Sequence, residues 1–180
     1  MPLVSIRRPV INAEQAMLRE HIPAVDRLGH LGIKWRKMGE MGVTLLERGQ
    51  YQRAAEKSQA RLGALAAQDV ATELNQSVLP KMPYGNYRFT AEVSNIDFMG
   101  QGRYLGIAYI LDAPELVEQR DFITLDLDRR NGITAYWGDF EPHATVATID
   151  HAYAKESVLE DFWEFAPETI TLLAARAEAS

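Results

Sequence analysis

The stretch Phe140-Glu141-Pro142-His143-Ala144-Thr145-Val146-Ala147 decides how the rest of the chain is read. β-Branched residues follow a proline, which predicts a strand over 143–149 with Pro142 at its mouth. Side chains alternate across a strand, so His143 and Thr145 share one face while Ala144 and Val146 point into the layer behind. An imidazole beside a hydroxyl suits phosphoryl chemistry. The imidazole gives or takes a proton near neutral pH, and the hydroxyl donates to a phosphate oxygen. A solvent-facing histidine on an ordinary strand has the same spacing, so spacing alone leaves both readings open.

On either side of this stretch, strands and helices interleave. Tyr87, Phe89, Ala91 and Val93 alternate with Arg88, Thr90 and Glu92, as on a half-buried strand. Gly100-Gln101-Gly102 turns the chain into a second apolar strand over 103–111, which makes 87–111 an antiparallel hairpin. A helix is expected over 114–127, another over 153–165, and a last strand over 169–173. Residues 3–10 read as a strand ended by Pro9, followed by a helix behind Asn12. In Leu28–Trp35, a period-two reading puts Leu31, Ile33 and Trp35 on one face and His30, Gly32 and Lys34 on the other, again a strand. From about 38 to 79 the spacing of Ala54, Leu62, Leu65, Val70, Leu74 and Val78 predicts helix, ended by Pro80 and Pro83. The pattern as a whole predicts a single α+β domain over 1–180, with a helical insert at about 38–79.

Composition excludes several classes. With 47% hydrophobic and 24% charged residues in 180, the chain is an ordinary globular sequence. No run reaches the roughly 18–20 apolar residues of a membrane span. There is no cysteine, hence no disulfide, thiolate zinc site or cysteine nucleophile. MPLVSIRRPV lacks an apolar core of signal-peptide length, so a cytoplasmic location is expected. Charge is uneven: residues 1–90 carry 13 Lys and Arg against 8 Asp and Glu, and residues 91–180 carry 6 against 17. A basic half fits a phosphate-bearing ligand, and it also fits helices with solvated Lys and Arg. The histidines at 21, 30, 143 and 151 lack a compact ligand spacing, so no metal is expected. There is no P-loop and no G-x-S-x-G, and Asp126-x-Asp128-x-Arg130 lacks the later ligands of a calcium loop.

Phe140–Ala147 resembles the second signature of the two-histidine (2H) phosphoesterase superfamily, His-x-Thr/Ser-hydrophobic, which includes the 2′-5′ RNA ligase-like proteins and cyclic nucleotide phosphodiesterases. The hairpin, the helix at 114–127 and the strand at 169–173 follow that family's order, so the resemblance covers about 84–175. It implies antiparallel sheets forming a cleft with helices outside, and metal-independent acid/base chemistry without a cofactor on a nucleotide or RNA-end phosphodiester. It also implies a second histidine. No other H-x-T or H-x-S exists here, and the upstream candidate is His30-Leu31-Gly32-Ile33, with Gly32 in place of the threonine. On this reading His143 and His30 are acid and base, Thr145 grips the phosphate, and Lys34 compensates for the lost hydroxyl. Tyr104 and Trp137 are candidates for stacking a base. Two alternatives stay open: a nucleotide- or RNA-binding protein of the same fold without turnover, and a protein-interaction module using the helical region.

Overall fold

The computed structural model describes residues 4–21, 32–57, 67–132 and 139–179. Its strands are β1 (Val4–Pro9), β2 (Lys34–Trp35), β3 (Gly42–Leu46), β4 (Phe89–Met99), β5 (Tyr104–Asp112), β6 (His143–Asp150), β7 (Thr169–Leu172) and β8 (Arg176–Ala179). Its α-helices are α1 (Asn12–His21), α2 (Arg48–Lys57), α3 (Ala67–Glu73), α4 (Pro114–Asn131) and α5 (Glu156–Glu164). Together they make an α+β fold. The strands form one antiparallel eight-stranded sheet in the order β7-β4-β5-β6-β3-β1-β8, with β2 added beside β6.

Local chemistry explains the elements. The β4–β5 hairpin turns through Gly100 and Gly102, whose φ values of 98° and 125° suit a residue without a Cβ. Pro114 starts α4 at a position where its missing N–H costs nothing, and Gly132 closes it in the left-handed conformation. Helices α4 and α5 pack against β3 and β4, while α2 and α3 pack against β1 and β8. Burial along β6 alternates to match. Ala144, Ala147 and Ile149 are buried, while His143, Thr145, Thr148 and Asp150 are half-exposed. Helix α5 covers the buried side: Trp35, opposite Ala147, lies 5.6 Å from the Phe162 ring, and the Tyr109 hydroxyl, opposite Ala144, donates to the Phe162 carbonyl.

Arg8 is a cation with no exposed surface inside this core. It donates to the carbonyls of Leu173 and Tyr87, and reaches Gln119 Oε1 at 2.8 Å. Burial pushes its pKa down to about 10. Its partners tie β1 to the segment after β7 and to α4, so the charge serves as a clamp for the chain.

The sequence reading needs correction in several places. The expected helical insert at about 38–79 contains a central strand, β3, and helix begins only at Arg48. A short apolar run such as Val43-Thr44-Leu45-Leu46 looks the same to periodicity whether it is a fully buried strand or a helix. Consequently the strand beside His143 is β3 rather than 28–35. Of that expected strand, Lys34–Trp35 pairs with Thr148 and Ala147, further along β6. The terminal strand β8 was also missed. Helix α3 runs on through a π-turn, Leu74–Val78, and a 3₁₀ turn, Leu79–Lys81, that holds Pro80, and the helical run stops before Pro83.

Candidate functional site

The site forms where β3, β6 and β1 lie side by side. In register, Gly42 faces Thr145 and Val43 faces Ala144. One residue further, Thr44 comes opposite His143, and Arg7 on β1 pairs with Thr44. Partners in register share a face, so Arg7, Thr44, His143 and Thr145 look out of the sheet together. They line a groove of about 470 Å³, with Arg36, Glu40, Glu47 and Arg48 around it. That volume lies within the range of small-ligand sites.

Several local devices aim these groups. The segment entering β6 is fixed by Arg120, whose guanidinium lies 4.8 Å from the Phe140 ring, and by the Leu111 N–H bond to the Pro142 carbonyl at 2.8 Å. His143 Nδ1 lies 2.8 Å from the Glu141 carbonyl oxygen. A carbonyl can only accept, so Nδ1 carries the proton, and Nε2 has no hydrogen-bond partner among the described residues. Between Thr145 and Ala147 the pairing with β5 slips by one residue, leaving Val146 as a bulge. Bulges re-aim neighbouring side chains. The Val146 carbonyl accepts the Arg36 N–H at 2.9 Å, which brings a second arginine to the groove. Burial lowers the Arg7 pKa, and the nearby charges of Arg36 and Arg176 lower it too; Glu178 and Glu40 oppose them. Three arginines against two glutamates leave the groove positive.

Strands β3 and β6 carry the same pattern, Gly42-Val43-Thr44-Leu45 and His143-Ala144-Thr145-Val146. Gly42 stands where a second histidine would mirror His143. A Cβ there would overlap the Arg8 carbonyl oxygen and sit 2.9 Å from Pro9 Cα, so the close approach of β1 requires glycine. Sequence reasoning missed Thr44, Arg7, Arg36 and Arg48. The repeated x-Thr-hydrophobic pattern around Thr44 was the signal that could have found the first of them.

The other expected site residues fall elsewhere. His30 and Trp137 lie outside the described residues. Lys34 sits opposite Thr148, and its Nζ lies 5.8 Å from the Tyr104 ring. Tyr104 itself is opposite Asp150, roughly 20 Å along β6 from His143. These two meet each other, and neither is among the residues lining the groove. Among the described residues no group of three His, Cys, Asp or Glu could hold a metal ion, and no helix is long and apolar enough to cross a membrane.

A solved structure shares this architecture. TT0787 of Thermus thermophilus superposes with a TM-score of 0.54 at 15% identity, over 98% of this chain and 83% of that one. Usb1 of Kluyveromyces marxianus covers 98% of this chain and 92% of its own at 10% identity and a TM-score of 0.49. Usb1 with uridine monophosphate gives 10% identity, 98% and 94% coverage, and a TM-score of 0.48. The chain therefore shares the fold of TT0787. No protein-family model matches the chain, and no curated protein matches it by sequence. On the strand pair β3 and β6, the residues lining the groove are one histidine, two threonines and a glycine.

Proposed function

We propose that the groove binds the phosphate of a nucleotide or RNA end, with His143 as the group that exchanges a proton with it. The observation that carries this reading is the free Nε2 of His143, set beside Thr145 and Thr44 in a groove rimmed by arginines. Neutral Nε2 accepts from a hydroxyl or water, and protonated Nε2 donates to a phosphate oxygen. The threonine hydroxyls supply neutral donors, and the guanidinium groups match the planar spread of phosphate oxygens.

Cleavage of a 2′,3′-cyclic phosphate or a 2′-5′-type phosphodiester requires two proton transfers. One activates the attacking hydroxyl or water, and the other protonates the departing oxygen. His143 supplies one; His30 is the candidate for the other. The second reading, binding without turnover, is favoured by Gly42, because the position that mirrors His143 has no side chain and no room for one.

Titration with uridine 2′,3′-cyclic phosphate and a 2′-5′-linked dinucleotide in EDTA, followed by chromatography of products, separates the readings. Turnover that disappears in both His143→Ala and His30→Ala supports the phosphodiesterase. Binding without turnover, weakened by His143→Ala, supports the binding protein. Absence of binding to either compound overturns both.

A further inference from the structure

We propose that the groove contains a second anion subsite, built from Ser5, Arg7 and the start of α2, that takes a phosphate other than the one at His143. It rests on reading the groove as a phosphate-ester site, and it adds a substrate class: a nucleotide chain bearing two separate phosphates.

Ser5 is the first observation. It is 5% exposed, it lines the groove, and its Oγ has no hydrogen-bond partner among the described residues. Buried hydroxyls are nearly always satisfied, and an orphan bordering a groove marks the place of a ligand atom. Arg7, two residues on, is the second. Its guanidinium has five N–H donors and gives one bond to the Glu40 backbone carbonyl. Among the described residues it has no salt bridge, and the carboxylate of Glu178 is held by Arg176 at 2.9 Å. A half-buried guanidinium with N–H donors to spare offers an anion charge-assisted hydrogen bonds.

The start of α2 completes the subsite. Its first intrahelical bond runs from the Tyr51 N–H to the Glu47 carbonyl, so the N–H groups of Arg48 and Gly49 have no partner within the helix. Both residues line the same groove as Ser5. Helix N-termini attract anions through these free N–H groups and the macrodipole. Glu40 and Glu47 face the same space and limit the room for negative charge at the rim. Ser5 lies two residues further along β1 than Arg7, which is itself two strands from His143, so its short side chain meets a different part of a ligand from the imidazole.

The test is calorimetric titration of the full chain with 2′-5′-linked uridylyl-uridine, with and without a 5′-terminal phosphate. In the unmodified protein the terminal phosphate is expected to tighten binding about tenfold or more. The ratio of the two affinities within each variant cancels any general loss of binding. Ser5→Ala is expected to cut that ratio to about threefold, and Arg7→Gln to bring it close to one. Ser5→Ala removes only an unpartnered hydroxyl, and a thermal melt checks that the fold persists. A ratio near one in the unmodified protein, or an undiminished ratio in both variants, overturns the subsite. If neither dinucleotide binds, the phosphate-ester reading itself falls; if both bind equally well, only the second subsite does.

Discussion

Strands β3 and β6 lie next to each other, share the x-Thr-hydrophobic pattern and present their threonines to one groove, yet they differ at a single decisive position. On β6 the chain enters through Pro142 and opens outward, so His143 has space, a carbonyl to fix its ring and a free nitrogen. On β3 the equivalent position is pressed against the backbone of Arg8 and Pro9, and only glycine fits. Arg8 is itself held by three acceptors in the core, so that pressure is built into the fold. One strand of the groove therefore carries an imidazole, and on the other packing leaves no room for a side chain at the matching position.

The sharpest way to break this comparison is to give both positions the same side chain. Gly42→Ala is expected to cost about 3 kcal/mol in urea unfolding, because the obstruction is backbone and cannot rotate away. His143→Ala at a half-exposed position should cost less than about 1 kcal/mol in the same assay. Equal losses would mean that β3 is not closed by packing. Next in size is ligand affinity. His143→Ala should weaken uridine 2′,3′-cyclic phosphate binding about tenfold, the worth of one hydrogen bond to a charged group. A smaller effect is expected from Thr44→Val and Thr145→Val, about fivefold each, since each removes one neutral donor. If Thr145→Val alone weakens binding, the two strands do not share the ligand.

The far end of β6 supplies the smallest effect. The N–H of Ala152 and then Arg103 hold the Asp150 carboxyl below its usual 3.8. A depressed carboxylate pKa adds stability above the unfolded value and loses it as pH falls through the folded one. Asp150→Asn should therefore lower the urea midpoint slightly at about pH 7, and the difference should shrink as pH falls below the usual carboxylate range. Loss of ligand affinity in this variant would extend the groove toward Tyr104.

Much of the fold was legible because its signals are local. The 87–111 hairpin shows period-two alternation around two glycines, α4 begins with proline and ends at glycine, and β6 announces itself by Pro142 and its β-branched residues. Strand β3 was not legible, since a five-residue buried run has no polar face to give it a period. Strand β8, rich in alanine and charge, likewise carries no strand propensity and exists because β1 offers an edge to pair with.

By itself the sequence determined that His143 and Thr145 share a face, that glycine stands at 42, and that one His-x-Thr is present. These follow from covalent order and the two-residue repeat of a strand. Only the tertiary structure decided which strand lies beside β6, and with it that Arg7, Thr44 and Ser5 border the groove. Pairing between residues more than a hundred positions apart depends on register and core packing, which no short stretch encodes. The same packing decided that Lys34 and Tyr104 meet each other instead of His143.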